Sequence, residues 1–348
     1  MERLIVGVPA RNEATTIADL AAALEQGAAM LGEGVGCELV LAYQPGVDDT
    51  LARWQSYPFR LPNRVLMGAA GETGKGRNVK RLIRHARARD AHLLLVDGDL
   101  SSFEPQTVAA FCSEERLARG GLVLPLWCRP RGEGNSTDFL ACPLIFAALG
   151  ARVRHPLAGQ RLLTNQLLAS VDCDQLPDGY GIDVALTGHA LVTNRPVDQL
   201  TVPFPAHQAG PNSDQIMGDV ASTLLALVAA SGGTDRSDVR WPDQWWRDQP
   251  RAEPAPRSFH RHLDPVRAPG RVSGLLNADP LQVRDHWCEA LAASVRQACL
   301  GGDPAGLVAD LLQPFFLHAE YRRNTEPDLD RAEAYVAELS ERLAAALS

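Results

Sequence analysis

No stretch of this 348-residue chain approaches the ~20 consecutive apolar residues of a membrane helix, so no membrane partner is expected. The opening MERLIVGVPARNE lacks the basic start, long apolar stretch and small-residue cleavage site of a secretory leader, and a cytoplasmic location is expected. Cysteine is sparse and scattered, at 37, 112, 128, 142, 173, 288 and 299, with no CxxC pair. That excludes a disulfide framework and a zinc site from the reading. Positive charge is also short: 34 Lys and Arg face 42 Asp and Glu, a net charge of −8. Such a field repels nucleic acid, so no nucleic-acid partner is expected, and an anionic ligand has to be received by a local group of Lys and Arg. The GxxxxGK[ST] spacing of a P-loop is absent. There is no internal repeat and no low-complexity tract.

What is there suffices for a folded protein. A hydrophobic content of 45% builds a substantial core, and the length suits one large domain or two of about 150 residues. The run RLIVGV (3–8) predicts a buried strand, followed by apolar residues at helical spacing from Ile17 to Leu31. CELVLAYQ (37–44), RVLMG (64–68) and HLLLV (92–96) are further strands, with a helical VDDTLARWQSY and a basic helix after GETGKGRN between them. Strand and helix alternate in units of 25 to 40 residues, the pattern of an α/β domain with a mainly parallel sheet. Further on, GGLVLPLWC reads as a strand leading to a Gly-rich polar loop, and FLACPLIFAALG as an apolar helix. The expected organisation is an α/β domain over 1–230, a Gly-, Pro-, Asp- and Arg-rich linker or long loop over 231–275, and a smaller helical region over 276–348 broken at GGDPAG and RNTEPDLD. The WPDQWWRD cluster (241–248) is read as packing or subunit contact, because large aromatics more often fill cores and interfaces than bind sugar.

The first chemical signal is HLLLVDGDLSSF (92–103), which places Asp97 and Asp99 at the exit of the most strand-like run. Asp and Gly both favour turns, so a capped strand is the plain alternative. In open α/β sheets, however, ligands bind at the carboxyl ends of the strands. Hard cations such as Mg²⁺ and Mn²⁺ prefer carboxylate oxygen and complete their shell with phosphate and water. Lys75, between Gly74 and Gly76, can neutralise phosphate charge where glycines let a backbone approach a ligand.

VPARNEATTI, GKGRN, LLLVDGDL, HPLAGQRLL and GYGIDVAL occur in the order found in retaining GT-A glycosyltransferases. The chain resembles the mannosylglycerate synthases and glucosyl-3-phosphoglycerate synthases of that group over residues 3 to about 215. The resemblance implies a GT-A fold that moves a hexose from a UDP- or GDP-hexose to a small hydroxy acid, D-glycerate or 3-phosphoglycerate, with a divalent cation as cofactor. Pro9, Ala10, Arg11 and Glu13 would line the base and ribose, with Gln44 at the base and Lys75 near the diphosphate or the base. Gly159 and Gln160 fall in the donor-binding motif, Asp97 lies near ribose or sugar, and Asp99, His207 and Asp97 form the metal set. Thr137, Asn135 and Arg131 belong to the acceptor loop, and Asp183 and Lys75 to the catalytic pair. Without the motifs, Thr137 and Asp183 read as helix N-caps and His207 as a loop histidine. A homodimer is expected.

Three departures bear on chemistry. Gln160 stands where the family has a glutamate, Asn135 where the phosphoglycerate-type enzymes have an arginine, and Leu124 where mannosylglycerate synthases have one. Arg129 and Arg131 are the nearest substitutes, and the unphosphorylated acid ranks slightly first. A double-displacement route needs a carboxylate on the sugar face, and Gln160 is not one, so front-side attack is the expected mechanism. Two rival functions remain: an inverting GT-A transferase acting on a polysaccharide or other acceptor, and a catalytically weak nucleotide-sugar-binding protein.

Overall fold

The computed structural model describes residues 2–129, 133–207, 213–231, 235–241, 280–325 and 329–347. Seven strands form one sheet: β1 (Glu2–Ala10), β2 (Val35–Tyr43), β3 (Asn63–Met67), β4 (His92–Leu95), β5 (Leu122–Leu126), β6 (Arg161–Leu163) and β7 (Val197–Thr201), in the order β3-β2-β1-β4-β6-β5-β7. All neighbours are parallel except β6, which runs antiparallel to β4 and β5. Every residue of β4 is buried, as its unbroken apolar run demands in a strand covered on both faces.

With this sheet go α1 (Ile17–Ala28), α2 (Thr50–Ser56), α3 (Lys75–Arg87), α4 (Gln106–Phe111) and α5 (Glu114–Arg119). A π-helical turn at Thr137–Ala141 leads into α6 (Cys142–Leu149), then come α7 (Asn165–Ser170), α8 (Ile182–Val192) and α9 (Ser213–Ser231). The C-terminal helices are α10 (Pro280–Cys299), α11 (Pro304–Thr325) and α12 (Leu329–Leu347). Helix α1 forms because Ile17, Leu20, Ala21, Leu24 and Ala28 recur on one buried face. Helix α3 buries Val79, Leu82, Ile83 and Ala86 and carries Arg84, His85 and Arg87 in its last turn, where cations suit the helix dipole. It lies close on β1 because Gly7 has no side chain: a Cβ there would sit 2.9 Å from Leu82 Cδ2.

The chain divides into two compact units, Met1–Trp127 with Leu157–Pro211, and Cys128–Pro156 with Asn212–Ser348. This redraws the expected boundary at residue 230. Residues 128–156 leave the sheet unit because α6 is apolar on nearly all sides, and α12 of the tail packs along it. Helix α9 also belongs to the second unit. The three helical segments expected in the tail are α10, α11 and α12, separated at the expected breaks. Of the expected linker, only 231 and 235–241 are described; there Arg236 pairs with Asp238 at 2.9 Å, and Arg152 lies 4.6 Å from the Phe146 ring centre and 5.7 Å from that of Trp241. Trp245 and Trp246 lie outside the described residues. All seven cysteines are free thiols.

One buried residue locks the turn where β5, β6 and β7 meet. The Thr164 hydroxyl accepts from the Gly121 N–H at 2.6 Å, donates to the Gly121 carbonyl at 3.1 Å and caps α7 at the Leu167 N–H, 3.4 Å away. Gly121 has φ +124°, and a Cβ there would meet the Pro196 carbonyl oxygen at 2.2 Å, so only glycine fits. Thr164→Val keeps the shape but leaves the Gly121 N–H buried without a partner. The expected loss is about 1–3 kcal/mol of stability, read as a lower urea midpoint at unchanged slope.

Candidate functional site

In the sheet unit, β1 and β4 lie side by side, and the chain leaves them toward opposite edges of the sheet. Their carboxyl ends therefore open at a switch point, where an α/β sheet offers a ligand crevice. Asp97-Gly98-Asp99 crosses that end. Thr16 donates to the Gly98 carbonyl at 2.7 Å, and a Cβ on Gly98 would lie 3.1 Å from Ala10 Cβ and 3.2 Å from Glu13 Cγ. The middle glycine thus lets the turn lie down on the end of β1, with both aspartates partly buried beside it.

The Lys75 ammonium is held between two carboxylates, 2.8 Å from Asp97 and 2.9 Å from Asp183. Burial disfavours its charge, but Asp183 and then Asp97 outweigh burial and hold the pKa above the ordinary lysine value. Lysine, aspartate and aspartate come from three separate segments, and the glycines flanking Lys75 explain how they meet. A Cβ on Gly74 would fall 2.3 Å from the Asp178 carbonyl oxygen, and one on Gly76 would fall 2.1 Å from that of Pro177. Here the glycines make room for the chain's own 177–178 loop rather than for a ligand, correcting the expected role. Lys80 reinforces the contact by donating to the Leu176 carbonyl at 3.0 Å, and Arg77 pairs with Asp178 at 3.0 Å.

Asp183 sits in the first turn of α8, whose N-cap is Gly181 with no side-chain cap, so the capping alternative does not hold. Its carboxylate meets a second cation, Arg161, at 3.3 Å. Arg161 is fully buried and donates to the Ala158 carbonyl at 2.9 Å, to the Asp183 carbonyl at 2.6 Å and to Thr187 Oγ1 at 3.2 Å. Gly159 is packed against Asp97: a Cβ there would lie 1.7 Å from Asp97 Oδ2, so any side chain would displace that carboxylate.

Negative charge exceeds what these cations compensate. Burial and then Asp97 push the Asp99 carboxyl up to about 6, against the pull of Lys75 and His207. Burial, then Asp99, Asp97 and Asp48, push Glu13 up to about 7. His207 is brought beside this group by backbone pairing: Leu100 bridges His207, and the Ser101 N–H donates to the Ala206 carbonyl at 2.8 Å. Among the described residues no three His, Cys, Asp or Glu side chains converge as a finished metal cage. The donor set of Asp99 carboxylate and His207 imidazole, in a place with surplus negative charge, nevertheless fits a divalent cation that takes its remaining ligands from phosphate and water. Asp97, expected as a third ligand, is paired with Lys75 at 2.8 Å.

Other expected residues take different places. Pro9 and Ala10 are buried at the end of β1, and Arg11 is exposed. Gln44 is buried and donates to the Gly74 carbonyl at 2.9 Å, tying β2 to the Lys75 turn; it does not stand open as a base contact. Gln160 is 3% exposed, and its Nε2 has no partner among the described residues. With Phe103, Phe111, Trp127 and Phe204 it lines a cavity of about 390 Å³, open mouth included.

In the second unit the acceptor-loop residues are arranged differently from expectation. Asn135 and Ser136 are already helical, and the Thr137 hydroxyl caps nothing. It accepts a hydrogen bond from Arg129 Nη1 at 2.8 Å. Gly134, at φ +77°, makes this possible, since a Cβ there would strike the same nitrogen at 2.3 Å. Arg129 therefore brings a guanidinium to Thr137 where Asn135 cannot. Arg131 lies outside the described residues. Leu124 is a wholly buried position of β5.

Sequence reasoning passed over Arg161 and Tyr180. An arginine opening the short run RLL is the only signal for the first, and the second stands within GYGIDVAL. Burial raises the Tyr180 phenol, which also feels Lys75, Asp97, Asp99 and Glu13, so it stands at the same group.

The chain matches no family model and no curated protein. It is similar to solved structures of glucosyl-3-phosphoglycerate synthase from Mycobacterium tuberculosis. The complex of that protein with Mn²⁺, UDP-glucose and phosphoglyceric acid is 22% identical, covering 65% of this chain and 80% of that one at a TM-score of 0.54. The complex with Mn²⁺, UDP-glucose and glycerol 3-phosphate is 22% identical over 70% and 82% of the two chains at 0.51. The complex with glucosyl-3-phosphoglycerate, UDP and Mn²⁺ is 22% identical over 70% and 82% at 0.53. The likeness establishes the fold: this is the GT-A, Rossmann-like arrangement, with a helical C-terminal region.

Arg161→Met would leave the Asp183 carboxylate short of a cation and the Ala158 carbonyl short of its donor. Breaking a buried pair in this way is expected to cost about 3–5 kcal/mol, measured by chemical denaturation. A loss below about 1 kcal/mol, the scale of an exposed pair, would contradict the assignment.

Proposed function

We propose that this protein is a metal-dependent hexosyltransferase, moving a hexose from a UDP- or GDP-hexose to a small hydroxy acid with retention of anomeric configuration. The observation that carries this reading is the Lys75 ammonium set between Asp97 and Asp183 at the carboxyl ends of β1 and β4. Asp99 and His207 stand alongside to hold the cation, which when bound would offset charge on the leaving diphosphate. That glucosyl-3-phosphoglycerate synthase of the same fold is found with UDP-glucose, Mn²⁺ and phosphoglyceric acid supports the substrate class.

The chain's own residues set the remaining steps. Lys75 neutralises developing charge on the leaving group, an electrostatic contribution. Gly159 leaves the Asp97 carboxylate in place beside the sugar, and Gln160 offers an amide to a sugar hydroxyl. Asp183 is held by two cations and almost wholly buried, a poor setting for a nucleophile. This favours front-side attack: the acceptor oxygen bonds the anomeric carbon on the face the diphosphate leaves, and the diphosphate receives the acceptor's proton. Thr137 with Arg129 receives the acceptor carboxylate as a charge-assisted pair. The working form is a homodimer in the cytoplasm. Among the described residues no helix is long and apolar enough to cross a membrane.

Binding is tested by a thermal-shift screen of UDP- and GDP-hexoses with Mn²⁺. At a hundredfold excess over Kd the donor should add about 2.7 kcal/mol of stability, and Asp99→Ala and His207→Ala should abolish that gain while melting as cooperatively as the parent. If no sugar nucleotide or nucleoside diphosphate shifts Tm, the transferase reading fails.

The acceptor is tested by kcat/KM for D-glycerate against 3-phosphoglycerate, with Thr137→Val alongside. Transfer to one of them, with D-glycerate ahead and a marked loss in Thr137→Val, is expected. No transfer to either acid, with Thr137→Val harmless, removes the acceptor class.

A further inference from the structure

The second unit contains an arrangement that the transfer reading leaves unused. Three helices far along the chain converge on the π-helical turn Thr137–Ala141. From α10, Trp287 is fully buried and donates its indole N–H to the Phe139 carbonyl at 2.8 Å. From α11, His318 stacks on the Phe139 ring, with centroids 4.5 Å apart and planes 19° apart. His318 is itself held by the Tyr335 hydroxyl of α12 at 2.5 Å.

The fourth constraint is a chain of buried charge. Glu333 of α12 accepts from Arg154 Nε at 2.8 and 2.9 Å and from Nη2 at 2.7 Å, a forked pairing that fixes the guanidinium plane. The remaining Arg154 nitrogen, Nη1, reaches Asp138 at 2.6 Å. Asp138 follows Thr137 in sequence, and Thr137 in turn accepts from Arg129. Arg154 and Glu333 are both about 4% exposed, so neither is a surface pair that solvent would weaken. A π-helical turn has a register that its neighbours must stabilise, and such turns recur at functional sites. Here the stabilising groups are two side chains from different helices, one bonded to a backbone carbonyl and one linked through an arginine to a carboxylate.

We propose that Glu333 and Trp287 are positioning residues for the acceptor: the helical tail holds the Thr137 turn in the one conformation that receives the small acid. This rests on the acceptor reading of Thr137. Both residues belong to the second unit and the donor-binding group to the first, so their effect should fall on one substrate alone.

The experiment is steady-state kinetics of the full-length Trp287→Phe and Glu333→Gln proteins, varying acid acceptor and sugar nucleotide separately. Trp287→Phe keeps an aromatic ring but loses the N–H together with part of the ring volume, so Glu333→Gln, which keeps the side-chain shape, and the melting of each variant guard against one that fails to fold. The acceptor KM is expected to rise about tenfold or more, since small misplacements of a positioned group carry large penalties. The donor KM and the Tm gain with nucleoside diphosphate and Mn²⁺ should not move, and Glu333→Asp should recover part of the loss. Hydrogen exchange at residues 137–141 should quicken in Trp287→Phe. If the parent glycosylates an acid but both variants keep its acceptor KM, or lose donor and acceptor affinity equally, this inference is overturned and the transferase reading stands. If the parent glycosylates no small acid, both fall together.

Discussion

Lys75 stands between Asp97 and Asp183, and most of what surrounds the candidate site exists to make that contact possible. Two carboxylates brought together with little water repel one another and resist burial, so the ammonium between them is a condition for the arrangement. Its position depends in turn on Gly74 and Gly76, which admit the 177–178 loop, and on Gln44, which holds the Gly74 carbonyl. Gly159 leaves Asp97 room, and Arg161 shares the charge of Asp183. Even so the group holds four acids, Glu13, Asp97, Asp99 and Asp183, against the two cations Lys75 and Arg161, and burial together with the neighbouring carboxylates raises Asp99 and Glu13. With a histidine beside it, such a place is suited to receive a cation.

The second unit balances its buried charges pair by pair. In a chain of net charge −8, Arg129 and Arg154 are drawn around one turn and matched by Asp138 and Glu333. Burial pulls the Arg129 guanidinium below its ordinary pKa while Asp138 supports its charge. Arg154 is driven the other way, because Asp138 and Glu333 together outweigh its burial. The two arginines divide the work, since one bonds Thr137 and the other ties that turn to the last helix. The excursion at 128–156 therefore belongs with the tail, where its apolar helix and its charged turn both find their partners.

Much of the architecture was legible in the chain itself. Unbroken apolar runs of four to eight residues became β1, β2 and β4, and the 3.6-residue spacing after Ile17 became α1. The breaks at GGDPAG and RNTEPDLD fell where α10, α11 and α12 separate. These signals are local: period and turn chemistry are written within a dozen residues. Asp97, Lys75, Asp183 and Gly159 were likewise legible, because their motifs stand in a recognisable order, and the structure brings these four together.

What local pattern could not carry was which group each side chain meets. Gln44 reads as an exposed polar residue after a strand, and only the path of the Lys75 turn above it buries the amide. The glycines around Lys75 read as a place for a ligand until a loop a hundred residues onward fills the space. Arg129 could be named as a cation near Thr137, but not joined to it without the positive φ of Gly134 and the turn that follows. Glu333 is one of many acids in an amphipathic helix, and nothing near it in sequence marks its pairing with Arg154, 179 residues away. Periodicity and motif order determine elements and candidate groups, because they depend on neighbours in the chain. Pairing of charges, burial of an amide and the division into two units depend on neighbours in space, and those the tertiary structure alone decided.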